Sequence, residues 1–232
     1  MTSLPCASRE VSRAGPRYAF LAATSLTLLK PLLRRALRPI AGRLYEAGVT
    51  ANQVTSTSLV GSVLVGALLC RFADHYSSFA MLPAWLVART AFAAVDGTLA
   101  IEFGQKSRLG GVLNEVGDVV SDIALFLPLV FVPPFSGASI ALVVCFAAMS
   151  EFVGMAGTML SGTRRLEGSL GKVDRSIVLA LVAIAIAACG RLPEGARFVV
   201  PALCLGLVVT IWNRLRFALV ERGTQTEQFY GF

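Results

Sequence analysis

Residues 93–122 read AAVDGTLAIEFGQKSRLGGVLNEVGDVVSD, and they set carboxylates where a chain of this composition should not tolerate them. Asp96 closes one apolar stretch, and Asn114, Asp118 and Asp122 follow at four-residue intervals near the start of the next. Residues four apart stack on one face of a helix, so the last three form a polar stripe. The short 102–109 connection, carrying Lys106 and Arg108, makes the two helices neighbours and turns Asp96 towards that stripe. The expected result is an oxygen-rich pocket just inside a membrane surface. Carboxylate and amide oxygens of this kind hold hard divalent cations such as Mg²⁺ or Mn²⁺, often with substrate phosphates on the far side. Gly97, Gly110 and Gly111 leave room beside the carboxylates for a headgroup to approach the backbone.

The membrane enters through composition. Of 232 residues, 55% are hydrophobic and 15% charged, where soluble domains average about 25% charged. About 20 apolar residues of helix cross a bilayer core. Stretches of that length are predicted near 52–72, 78–101, 110–133, 136–160, 173–190 and 196–218. The fold class is therefore all-α, a polytopic membrane protein with six spanning helices. A charge near the bilayer centre costs about 2.5–3.5 kcal/mol on insertion scales, so Arg89, Asp96, Asp118, Asp122 and Glu151 are candidates for function. For Arg89, an ion pair with an embedded carboxylate outweighs phosphate binding. Glu151 is expected to face the bundle interior. The Gly61, Gly66 and Gly154 positions fit close helix packing.

Basic residues set the orientation. Eight of the 21 Lys and Arg fall in the first 50 residues, two in 102–109, four in 161–175 and three after 213. Only Arg71, Arg191 and Arg197 fall on the opposite side, so both termini are expected in the cytoplasm. The net charge of +7 suits loops held against anionic lipid, and no nucleic-acid-binding motif is present. Residues 28–46, LLKPLLRRALRPIAGRLYE, place Leu29, Leu32, Leu33, Leu37, Ile40 and Leu44 at helical spacing, with Lys30, Arg34 and Arg38 on another face. This predicts an amphipathic helix lying on the cytoplasmic leaflet. Residues 1–27 form an N-terminal extension, 47–221 the membrane domain and 222–232 a cytoplasmic tail. A secretory-signal reading of Arg9, Arg13 and Arg17 with the following YAFLAATSLTLL is disfavoured by the basic helix behind it.

Several chemistries lack material. His75 is the single histidine, which leaves little for His-based triads or zinc sites. Cys6, Cys70, Cys145, Cys189 and Cys204 show no CxxC spacing and read as small membrane-embedded hydrophobes rather than disulfides or ligands.

The stretch Asp96-Gly97-x2-Ala100-x9-Gly110-x3-Asn114-x3-Asp118 resembles the signature of the CDP-alcohol phosphatidyltransferases, DxxDGxxARx8GxxxDxxxD, and VTANQVTS at 49–56 is similar to the family's TPNxxT stretch. The resemblance covers about residues 28–218. It implies an integral membrane enzyme, usually dimeric, that displaces CMP from a CDP-linked lipid such as CDP-diacylglycerol by attack of an alcohol. By position, Asp96 would be a metal and diphosphate ligand, Asn114 a weaker ligand, and Asp118 a metal ligand and the catalytic base. Gly97, Ala100 and Gly110 would give the CDP nucleotide room. Asp122 is a further candidate metal ligand, with a structural or electrostatic role preferred. The sequence departs from the signature at Ala93, Ile101 and Asn114, where the family has Asp, Arg and Asp. Glu115 to Asp122 and the Gly171-Lys172-x-Asp174-Arg175 element resemble divergent bacterial members, which places the chain in a bacterial inner membrane.

Arg164, Lys172 and Arg175, with Gly168 and Gly171, suit the phosphate of an acceptor such as glycerol 3-phosphate. The same charges also satisfy the positive-inside pattern. A catalytically impaired relative that binds CDP-lipid or a partner enzyme is the alternative motivated by Ala93 and Ile101. A small cation transporter is weaker, because the acidic residues gather near one face.

Overall fold

The computed structural model describes residues 29–161 and 170–230. Among these the regular structure is helical: α1 (Leu29–Glu46), α2 (Ala51–Arg71), α3 (Met81–Ile101), α4 (Arg108–Phe126), α5 (Gly137–Ser161), α6 (Lys172–Cys189) and α7 (Val199–Tyr230). Single 3₁₀ turns, Tyr76–Ala80, Leu127–Phe131 and Glu194–Phe198, extend α3 and α7 at their starts and α4 at its end. Among the described residues, four helical segments are long and apolar enough to cross a membrane: Ala51–Arg71, Tyr76–Ile101, Gly137–Gly157 and Glu194–Arg216. The expectation of six spans is thus met for four by length and composition. The other two, α4 and α6, carry Arg108, Glu115, Asp118 and Asp122, and Lys172, Asp174 and Arg175, so their composition is diluted by the residues of interest.

Local chemistry fixes the starts of the helices that matter. At α2, Thr50 accepts from the Gln53 backbone N–H at 3.3 Å while Gln53 Oε1 accepts from the Thr50 N–H at 2.8 Å, a reciprocal cap worth about 1 kcal/mol. Ser107 caps α4 by accepting from Gly110 N–H at 2.9 Å. Asp174 folds back on the Gly171 N–H at 2.8 Å to open α6, where an acidic side chain also suits the helix dipole. The α3–α4 connection turns at Gly104, with φ +70°, a conformation that side chains with a Cβ rarely adopt. Gln105 then ties that connection to α2, accepting from Ala51 N–H at 2.7 Å and donating to the Val49 carbonyl at 3.3 Å. The starts of α2 and α4 and the end of α3 are held together at one rim.

Packing sets the rest. Gly66 lets α2 close on α4, since a Cβ there would run into the Ala124 carbonyl. Trp85 of α3 donates to Ser62 of α2 at 3.1 Å across the α2–α3 interface. The larger core cluster joins Leu69, Leu82, Leu125, Val143, Leu179, Ile186 and Leu207, at least one from each of α2 to α7. A smaller one places Ala41 of α1 against Val54, Val95 and Leu99, with Leu37, Leu44 and Phe103 around it. The apolar positions of α1 therefore divide: Leu37, Ala41 and Leu44 pack on α3, while Leu32 and Ile40 are exposed. Arg38 donates to Glu102 at 2.6 Å, tying α1 to the end of α3. At the other end of the chain, α7 continues as helix to Tyr230, past the apolar limit expected near residue 218.

Candidate functional site

α2, α3, α4 and α6 line a small, partly open cleft, with Thr55 and Ser58, Arg89, Ala93 and Asp96, Asn114, Asp118 and Ser121, and Lys172 around it. Three of the sequence-predicted oxygen donors, Asp96, Asn114 and Asp118, face this one space, and the missing carboxylate position, Ala93, faces it too. Thr55 Oγ1 donates to Asp96 Oδ2 at 2.8 Å and to the Ala51 carbonyl at 3.1 Å, which aims the Asp96 carboxylate from the first turns of α2.

Asp118 is held differently. Lys172 Nζ donates to Asp118 Oδ1, and Arg89 Nη2 reaches the same oxygen at 3.3 Å and the Asp118 backbone carbonyl at 3.4 Å. Arg89 Nη1 then bonds Asp122 Oδ1 at 3.0 Å, and Arg175 Nη2 bonds Asp122 Oδ2 at 2.8 Å. Arg175 Nη2 also donates to Glu151 Oε1 at 3.1 Å, and Arg214 approaches Glu151 Oε2 at 3.7 Å while donating to the Ser150 carbonyl. Charges alternate along one line, Lys172, Asp118, Arg89, Asp122, Arg175, Glu151 and Arg214, running from the cleft into the α5–α7 interface. Buried charges persist only where such pairing repays their desolvation.

This separates the expected site residues. Asp96, Asn114, Asp118 and Lys172 share the cleft. Asp122 lies outside its lining with both oxygens engaged by arginines. Arg175, 1% exposed, lies outside it as well, although its Nε and Nη1 have no hydrogen-bond partner. Gly97, Ala100 and Gly110 lie outside the cleft lining: Arg34 of α1 closes on Gly97, Asn52 and Ser107 close on Gly110, and Ala100 packs against the smaller core cluster. Arg164 lies outside the described residues. Glu151 does face the bundle interior, and Arg89 is an ion-pairing residue whose partners are on α4. The sequence reading missed the Lys172 to Asp118 contact and the Thr55 hydroxyl on Asp96. Both join helices distant in sequence, and only the Thr55 position within VTANQVTS gave a signal.

A divalent cation finds partial accommodation here. Two carboxylates and an amide line one cleft, hard oxygen donors of the kind a single divalent ion takes. Among the described residues, no three acidic, His or Cys side chains cluster as a metal site. Asp118 Oδ1 already accepts from Lys172 and Arg89.

Comparisons with known proteins bear on this geometry. No protein-family model matches the chain. It is 37% identical over 196 residues to the inner membrane protein YnbA of Escherichia coli, spanning 84% of this chain and 97% of that one. It is 29% identical over 181 residues to a phosphatidylinositol phosphate synthase of Cutibacterium acnes, covering 75% of this chain and 84% of the relative. A Mycobacteroides abscessus protein of the same name is 32% identical over 117 residues, about half of each chain. Among solved structures, the Mycobacterium tuberculosis phosphatidylinositol phosphate synthase PgsA1 with CDP-DAG bound superposes with a TM-score of 0.66 at 22% identity, over 79% of this chain and 94% of that one.

Proposed function

The chain belongs to the CDP-alcohol phosphatidyltransferase family, and we propose that it transfers a phosphatidyl-type group from CDP-diacylglycerol to an alcohol, releasing CMP, in phospholipid synthesis. The observation that carries this reading is the convergence of Asp96, Asn114 and Asp118 on one cleft beside Lys172. Asp96, Asn114 and Asp118 would hold one divalent cation, Mg²⁺ or Mn²⁺, and the chemistry it would supply when bound is positive charge against the diphosphate and the departing CMP. Thr55 keeps the Asp96 carboxylate aimed into the cleft. Asp118 presents Oδ1 to Lys172 and Arg89, and its Oδ2 takes the proton from the acceptor hydroxyl as that oxygen attacks the donor's β-phosphorus. Asp122 serves by fixing Arg89 and Arg175 rather than by binding metal.

The cytidine nucleotide would approach along Gly97, Ala100 and Gly110, with the Arg34 side chain that closes on Gly97 moving aside. The basic residues Arg164 and Lys172 make a phosphorylated polyol, glycerol 3-phosphate or an inositol phosphate, the preferred acceptor, while Arg175, buried and held by Asp122 and Glu151, acts by fixing those carboxylates rather than by meeting the phosphate. Two relatives named phosphatidylinositol phosphate synthase support that class. In the bilayer, α4 and α6 complete six spans, because their polar residues pair with one another inside the bundle and leave the lipid-facing sides apolar. α1 lies on the cytoplasmic leaflet with Leu32 and Ile40 outward, both termini are cytoplasmic, and the active form is a homodimer.

A second reading, a relative that binds CDP-lipid without turning it over, is favoured by the cations resting on Asp118. Purified protein in mixed micelles, given CDP-diacylglycerol and Mg²⁺ or Mn²⁺, decides between them when CMP release is measured against glycerol 3-phosphate, inositol phosphates, serine and inositol. Release stimulated by a phosphorylated polyol supports the transferase. CDP-lipid binding without release for any acceptor supports the binding protein.

A further inference from the structure

The charges at the cleft balance before any ion arrives. Of the charged residues that line it, Arg89 and Lys172 are cationic and Asp96 and Asp118 anionic, two against two. The diphosphate of a CDP-linked lipid brings two negative charges, one on each diester phosphate. One divalent cation cancels them, and a second would leave two uncompensated positive charges in a poorly hydrated space, where like charges repel strongly.

The same conclusion follows from position. A second ion would need Asp118, but Asp118 Oδ1 carries Arg89 and Lys172. Arg89 is 6% exposed and anchored through Nη1 to Asp122, so it has no route away from an incoming cation. It sits one helical turn before Ala93, and both line the cleft. A cationic side chain thus stands beside a position that offers a metal no ligand. Lys172 has the opposite character: its side chain is one-third exposed on a flexible stem, free to pass from Asp118 to a phosphate oxygen as the donor enters.

We propose that Arg89 and Lys172 take the place of a second divalent cation: Arg89 as a fixed charge behind Asp118, and Lys172 as a movable one that pairs with the donor diphosphate. The proposal rests on the CDP-lipid reading of this cleft, and its test does not depend on turnover. Full-length protein in lipid nanodiscs with CDP-diacylglycerol present is titrated with Mn²⁺, and bound ion is counted by electron paramagnetic resonance. One Mn²⁺ per chain is expected, and two would overturn the proposal. No Mn²⁺ despite bound CDP-lipid would keep the cationic wall and remove the metal assigned above, whereas no CDP-lipid binding would remove the CDP-lipid reading itself.

Two variants read the residues directly. Lys172→Gln loses a charge-assisted contact and should weaken CDP binding about tenfold or more with the Mn²⁺ count unchanged. Equal affinity would contradict the role given to Lys172. Ala93→Asp combined with Lys172→Gln should raise the count to two, while a count held at one in a folded, CDP-binding variant would show that these residues do not set the stoichiometry.

Discussion

Asp118 and Asp122 lie one helical turn apart on α4, yet their surroundings assign them different work. Asp118 lines the cleft and is reached by one cation from α3 and one from α6. Asp118→Asn keeps the shape and a hydrogen-bond acceptor but removes the base, so CMP release should fall at least a hundredfold while expression and melting temperature stay near wild type. Retained turnover would remove the base assignment. Asp122 is 8% exposed and bonded to two arginines, so Asp122→Ala strands two buried guanidinium groups. Breaking a buried pair costs about 3–5 kcal/mol, and thermal unfolding in detergent should show a loss of that order. An unshifted melting temperature would mean that water or lipid headgroups already satisfy those arginines. The four-residue stripe from Asn114 to Asp122 is legible in the sequence because helical periodicity alone produces it. Its division into a cleft-facing and a buried carboxylate is not, because that depends on which helix supplies the facing arginines.

At the scale of elements, helix positions follow closely from apolar run length and from the polar caps Thr50, Ser107 and Asp174. What periodicity could not supply was the sharing of roles within a helix. The leucines of α1 look like one membrane-facing stripe, but the packing turns Leu37, Ala41 and Leu44 onto α3 and leaves Leu32 and Ile40 outward. Likewise α4 and α6, expected as spans, carry Arg108, Glu115, Asp118 and Asp122, and Lys172, Asp174 and Arg175, and among the described residues four helical segments are apolar enough to cross a membrane. A close approach in the bundle, Gly66 of α2 on the Ala124 carbonyl of α4, carries a prediction at this scale. Gly66→Leu must push apart the two helices that present Thr55 and Asp118, so stability should drop by about 1–3 kcal/mol in thermal melts. CMP release should fall with it, although the substitution touches no cleft residue. Wild-type stability in this variant would mean that α2 and α4 are not in close contact at that level.

Across the whole molecule, a line of alternating charge runs from Lys172 at the cleft to Arg214 on α7, tying five of the helices to one site. The fold class and the location of the pocket were readable from composition and from the spacing between Asp96 and Asp118. The ion-pair line was not, since its members come from five separate helices and no single stretch of sequence contains it. The central claim is that this pocket performs a metal-dependent transfer despite Ala93 and Asn114. The most direct measurement is CMP release from CDP-diacylglycerol by the purified protein with and without Mg²⁺, alongside Asp96→Ala under the same conditions. The account predicts release that needs the cation and an alcohol acceptor and that is lost in Asp96→Ala. Release unaffected by chelation and retained in Asp96→Ala would contradict it.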